Sequence, residues 1–261
     1  MQAIGGLVTA INLGLALFVG VRLLRLGART RGPESWLGVY FLFAAFLGAI
    51  CSITTYTSWA DPDLALPDAA RRAGLALYLA FASAGMAGIA LFTQRVFRPR
   101  SAAARRCVAA LAVAMAAALA GVAALDRFEV KVLASWPYWI SVAARWTPMA
   151  WMAGESLAYW ARLEKRRRVG LADALLVNRF LLWGAWAATM CLLQLSDPAA
   201  RLWYVAVAGS ADGWSAEHGL PIVQTIVAVT SVLGAIAAAM LVLAFFPTPR
   251  YRRWIEARAG A

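Results

Sequence analysis

Histidine, lysine and cysteine are almost absent from this sequence. His218 is the only histidine, Lys131 and Lys165 are the only lysines, and there are three cysteines in 261 residues. One histidine cannot supply bis-histidine haem ligation. Cys51 and Cys191 fall inside apolar stretches and Cys107 follows Arg105-Arg106. None has a C-x-x-C partner, so neither a zinc site nor a redox pair is signalled. Charge is scarce as well, at 15% of residues against 62% apolar, where a soluble domain has about a quarter charged and about half apolar. These shortages exclude a soluble globular domain, a disordered chain, a collagen-like fibre and a disulfide scaffold.

What the sequence does have is apolar runs long enough to cross a bilayer. Seven spans can be drawn, at roughly 3–25, 36–59, 73–95, 107–125, 137–160, 173–195 and 220–246, each near the 20 residues a tilted helix needs. Barrel strands would be half as long and alternate in polarity. The expected fold is an all-α bundle of seven transmembrane helices over 1–246, followed by a basic amphipathic tail over 247–261. The first span is not expected to be a cleaved signal: it lacks a basic leading region, and Arg22 and Arg25 follow its apolar run.

The connections divide sharply by charge. Eighteen basic residues fall at one end of the spans, in the stretches around Arg22–Arg31, Arg95–Arg106, Arg162–Arg168 and Arg250–Arg258. The other end has five (Arg71, Arg72, Arg127, Lys131 and Arg201), together with Asp61, Asp63, Asp68, Asp197, Asp212 and Glu217. The positive-inside rule then puts the N-terminus outside and the C-terminus in the cytoplasm, in a cytoplasmic (inner or plasma) membrane. A net charge of +12 would suggest nucleic acid in a soluble protein. Here retention signals and anionic lipid head groups account for it, so the expected partners are the anionic bilayer and a protein at the basic face. Trp59, Trp136, Trp139 and Trp203 at one boundary, and Trp36, Trp160 and Trp254 at the other, fit the aromatic belts of a membrane protein.

Three ionisable residues lie within spans, where an unpaired charge is costly. Glu155 and Arg179 are each about six residues from the basic end of neighbouring spans, roughly 9 Å deep at 1.5 Å per residue. An intramembrane Glu155–Arg179 ion pair is the natural expectation. Arg145 is about eight residues in from the other side, roughly 12 Å deep, and no acidic residue lies in that half of any span. Pro148 follows it and frees a carbonyl one turn upstream. Tyr56, Tyr78, Gln194 and Gln224 are expected neighbours at matching depth. Trp183 and Trp186 share a helical face with Arg179, and Trp146 lies at a similar level. An anionic amphiphile could set its head group on Arg145 and its tail along Trp146, Trp183 and Trp186.

Seven spans, an outside N-terminus, an aromatic face on span six and an amphipathic tail resemble, in topology, the microbial rhodopsins and the G-protein-coupled receptors. The rhodopsin resemblance would imply a Schiff-base lysine in span seven, but that stretch reads Ala228-Val229-Thr230-Ser231-Val232-Leu233. Covalent retinal is therefore excluded, and a non-covalent lipid, quinone or polyene is the cofactor class left open. Span three ends Gln94-Arg95-Val96-Phe97-Arg98-Pro99 rather than in the receptor Asp-Arg-Tyr motif. The leading expectation is a receptor-like sensor with a pocket around Arg145, signalling through partners. A small-solute transporter and a structural accessory subunit are the alternatives. An enzyme is the least supported class, since no nucleophile–base set or metal cluster is present. A reporter fused after Ala261 should be cytoplasmic and one inserted near Asp212 should lie across the membrane. Finding both on the same side would overturn the topology.

Overall fold

Hydrocarbon offers no water to a backbone N–H or carbonyl, so an apolar run that crosses it must bond to itself as helix. The computed structural model describes residues 2–60, 66–129, 135–208 and 216–259, and these contain helices and no strand. Asp61, Asp63, Lys131 and Asp212, counted above, fall outside the described residues. In chain order the helices are α1 (Gln2–Thr30) and α2 (Glu34–Tyr40), which runs through a π-helical segment (Phe41–Gly48) into α3 (Ala49–Ala60). Then come α4 (Asp68–Phe97), α5 (Ala102–Leu125), α6 (Trp136–Arg167), α7 (Ala174–Gln194), α8 (Ser196–Ala208), α9 (Ala216–Phe245) and α10 (Pro249–Ala259).

The ends of these helices are set by local chemistry. Ser101 accepts a hydrogen bond from the Ala104 N–H at 3.1 Å and Asp173 accepts one from the Leu176 N–H at 3.0 Å, which caps α5 and α7. Gly170 closes the α6–α7 connection at a φ of +74°, a conformation other residues resist. The expected loop after residue 195 is instead α8. Ser196 turns back to the Leu193 carbonyl at 2.6 Å, and Asp197 and Pro198 occupy the first turn of the new helix. There a missing N–H is harmless and a carboxylate opposes the helix dipole.

Among the described residues, six helical stretches are long and apolar enough to cross a membrane: Thr9–Thr30, Glu34–Thr55, Asp68–Phe97, Ala102–Leu125, Ala174–Ala208 and Gln224–Phe245. The protein is accordingly an integral membrane protein with six such helices, where the sequence led us to expect seven spans. The difference lies in α6. It has 32 residues, ample for a crossing, but Arg145, Glu155 and the basic run to Arg167 lower its apolar content. It packs against α4, α5 and α7.

Close approach of helices depends on particular glycines. A Cβ on Gly38 would lie 2.9 Å from the Leu24 backbone nitrogen, and one on Gly85 would lie 2.5 Å from the Ala44 Cβ and 2.9 Å from its nitrogen. Gly85 therefore seats α4 directly against the π-helical segment. Gly88, one turn further along α4, is as tightly seated, since a Cβ there would lie 2.7 Å from the Trp36 carbonyl oxygen, whereas Ala84 faces outward. On α5 the buried face is Ala104, Met115, Ala118 and Val122, and Ala110 is exposed. Gly85→Ala should lower the thermal midpoint by an amount equivalent to about 1–3 kcal/mol of overpacking. Gly154 has nothing within 4 Å of its virtual Cβ, so Gly154→Ala should be neutral or stabilise by up to about 1 kcal/mol. Equal responses in a thermal-melt comparison would show that the Gly85 contact is not tight.

Candidate functional site

The centre of the bundle is not solid. A cavity of about 300 Å³ lies among α1, α2 and its π-helical extension, α4, α6, α7 and α9, lined by residues that include Asn12, Tyr40, Phe41, Tyr78, Arg145, Trp186 and Gln194. A second cavity, of about 270 Å³, is lined by Ser52, Tyr78, Val142, Arg145, Leu193, Gln194, Ser196, Asp197 and Pro198. Tyr78, Arg145, Leu193 and Gln194 line both. They form a collar, with an apolar chamber toward the middle of the bundle and a polar chamber toward the α6 start.

Arg145 occupies this collar with few partners. It is 8% exposed. Its Nε donates to the Ser141 carbonyl, one turn back on α6, at 3.2 Å, and a terminal nitrogen reaches the Tyr78 hydroxyl at 3.5 Å. The guanidinium carbon also lies 5.7 Å from the centre of the Tyr78 ring, within cation–π range. No carboxylate among the described residues lies within ion-pair distance of it. A guanidinium has five N–H donors, so several face the cavities.

The apolar chamber has an aromatic wall. Trp186, 5% exposed, stacks on Phe41 with ring centres 5.6 Å apart and meets Tyr40 edge-on at 5.7 Å. Phe41 opens the π-helical segment, whose Ala44 and Ala45 line the same space. A π-helical turn carries one more residue than an α-helical turn, which widens the helix beside the cavity. Gly234 of α9 lines the same chamber. A Cβ there would lie 3.2 Å from the Asn12 amide nitrogen.

The polar chamber ends at Asp197. Its carboxylate accepts hydrogen bonds from the Tyr138 hydroxyl and from the Arg201 Nε at 3.2 Å. Arg201 also lies over the Tyr138 ring, 4.7 Å from its centre. Asp197 retains 42% side-chain exposure.

The structure thus gathers Arg145, Tyr78, Trp186 and Gln194 at one place, and it puts other expected residues elsewhere. Gln224 is exposed on α9. Trp146 faces α7, donating its indole N–H to the Cys191 carbonyl at 3.2 Å. Trp183 lies closer to the basic end, packed against Phe92, Phe180 and Phe245. The side chain of Tyr56 lies outside the described residues. Asn12, Tyr40 and Phe41 were not foreseen as lining residues. Asn12 had one sequence signal, an amide within an otherwise apolar run of span one.

The expected Glu155–Arg179 pair is not formed. Glu155 bonds to the Arg98 Nε at 2.7 Å and to the Trp151 indole at 3.3 Å. Arg179 is exposed on α7. The two residues lie at different levels as well as on different faces. Tyr159 of α6 packs on Phe180 of α7 with ring centres 4.5 Å apart, which leaves Glu155 about one turn from the level of Arg179. Glu155 turns toward Arg98, just past the end of α4. Further along α6, outside the apolar stretch, the hydrogen bond from Arg167, with Arg168 beside it, lowers the Glu164 carboxyl to about 2.

No protein-family model, curated protein or solved structure matches the chain. A double-mutant cycle on thermal stability separates the two pairings. Glu155→Gln and Arg98→Gln should be non-additive, the double change costing less than the two single changes together. Glu155→Gln and Arg179→Gln should be additive, and coupling in that second cycle would contradict the observed pairing.

Proposed function

We propose that the protein is a seven-span membrane sensor that binds a small anionic amphiphile, with the acidic head group on Arg145 and the tail along Trp186. In this reading α6 is the seventh span, the N-terminus is outside, and the basic end faces the cytoplasm from the inner or plasma membrane. The observation that carries it is Arg145: a buried guanidinium, lacking a carboxylate partner among the described residues, at the junction of a polar and an apolar cavity. Such a charge is costly in a bundle within hydrocarbon. A bound anion converts that cost into affinity and orientation. The apolar chamber, at about 300 Å³, matches the small end of the range for small-molecule sites.

Two further observations favour a sensor over a transporter. The space below the apolar chamber is filled by Phe92, Phe97, Tyr159, Phe180, Trp183 and Phe245, whose rings contact one another. A solute path would need a polar route through that level. Moreover, α7 carries both Trp186 and Gln194 at the cavity and Asn178 near its start, where the Asn178 amide donates to the Tyr251 hydroxyl of α10 at 2.7 Å. Helix α10 packs on α7 through buried Ile255 and presents Arg250, Arg252 and Arg253 outward. That basic face is the proposed output surface, toward anionic lipid or an acidic protein partner.

Decanoate or decyl phosphate should raise the thermal midpoint of the wild type in lipid nanodiscs. Arg145→Gln should remove that protection while leaving the empty protein as stable or more so, a loss of about 1.5–3 kcal/mol of charge-assisted binding. Arg145→Lys should bind weakly, since an ammonium lacks the planar fork that grips a carboxylate with two nitrogens. If neither amphiphile protects the wild type and Arg145→Gln destabilises it, Arg145 serves packing and the proposal falls.

A further inference from the structure

The polar chamber is bipolar. Arg145 stands on α6 where the two chambers meet, and Asp197, from the first turn of α8, lines the same polar chamber. The two are not an ion pair, because no contact within ion-pair distance joins them among the described residues. Asp197 is held in place by Tyr138 and Arg201. A carboxylate has about four lone-pair positions, so these bonds leave it acceptor capacity, and its 42% side-chain exposure leaves that capacity reachable. Ser52, Ser196, Tyr78 and Gln194 supply neutral donors and acceptors between the two charges.

A simple fatty acid would use only half of this chamber. Its carboxylate would bind Arg145, and the acceptor positions that Asp197 keeps beside its Arg201 bond would be left unused. A head group with an acid and an amine on adjacent atoms would satisfy both walls. A cavity of about 270 Å³ is larger than such a head group needs, which leaves room for water bridges. The apolar chamber behind Arg145 would take the rest of the molecule, beside the Tyr40, Phe41 and Trp186 rings.

From this juxtaposition we infer that the ligand is zwitterionic: an α-amino acid with a long or aromatic apolar side chain, its carboxylate on Arg145 and its ammonium on Asp197. This rests on the reading of Arg145 as an anion anchor and goes further by naming the head group. The selectivity follows from physical chemistry, since a head group without an ammonium forgoes one charge-assisted contact to the remaining acceptor positions of Asp197.

The test compares 2-aminodecanoate, decanoate and decylamine, which share a chain length and differ in head group. Binding is measured calorimetrically to the full-length protein in phosphatidylcholine nanodiscs, with protein-free nanodiscs subtracting partition into lipid. The wild type should bind 2-aminodecanoate at least about tenfold more tightly than decanoate, the size of one added charge-assisted contact. Decylamine should bind weakest. Asp197→Asn should bring 2-aminodecanoate down to the affinity of decanoate and leave decanoate within about twofold of its wild-type value. If decanoate binds the wild type as tightly as 2-aminodecanoate, the zwitterion inference is overturned while the Arg145 site stands. If none of the three binds saturably, both are overturned. The wild-type comparison decides the matter even where Asp197→Asn fails to fold.

Discussion

A buried guanidinium with too few partners is the constraint around which this bundle is organised. Arg145 cannot shed its charge and, at 8% exposure, has little bulk water to share it with. The surroundings answer only partly: a carbonyl from its own helix, the Tyr78 hydroxyl and ring, and two cavities. The cavities follow from neighbours that do not close in. The π-helical segment widens the α2–α3 helix on one side, and on another Asn12 of α1 stands beside Gly234 of α9, both lining the apolar chamber. Arg145 is also one reason that α6, long enough to cross a membrane, is less apolar than the six long apolar helical stretches among the described residues.

The sequence was a guide to which residues share the level of the collar and a poor guide to direction. Along a helix, depth is residue count times 1.5 Å, so Arg145, Tyr78 and Gln194 could be assigned to one level, and they meet at one collar. Direction turns by about 100° per residue and is set by which neighbour each face packs against. That was not legible, and it explains the errors. Glu155 faces Arg98, just past the end of α4, rather than Arg179, Gln224 faces outward, and Trp146 turns to the Cys191 carbonyl. The π-helical segment left no trace in the sequence, since Phe41 to Gly48 reads like any apolar run. Helix α8 could have been anticipated from Asp197-Pro198, a serviceable helix start, but charge and an assumed loop length concealed it.

The two ends of the bundle are built differently. At the end where α6 begins, polar groups face open space: Arg145, Gln194, Ser196 and Asp197 line one chamber. Toward the basic end the same helices are sealed by contacting aromatic rings from Phe92 to Phe245, with the Glu155–Arg98 bond beside them. Aromatic packing of this kind is stiff and fills volume efficiently. In the proposed reading, an open, half-polar chamber over a floor of contacting aromatic rings suits recognition at one face and transmission through helix position to the other. Helix α7 is the element best placed for this, since it lines the chambers and also holds α10.

The central claim is that the space around Arg145 exists to receive an amphiphile, and a density map of the protein in lipid nanodiscs with 2-aminodecanoate tests it most directly. The account predicts elongated density whose head lies within hydrogen-bond reach of Arg145 and Asp197 and whose tail runs beside Trp186 into the apolar chamber. A map in which Arg145 turns to bulk water, or is fully bonded to protein carbonyls with the adjoining space closed, would contradict it.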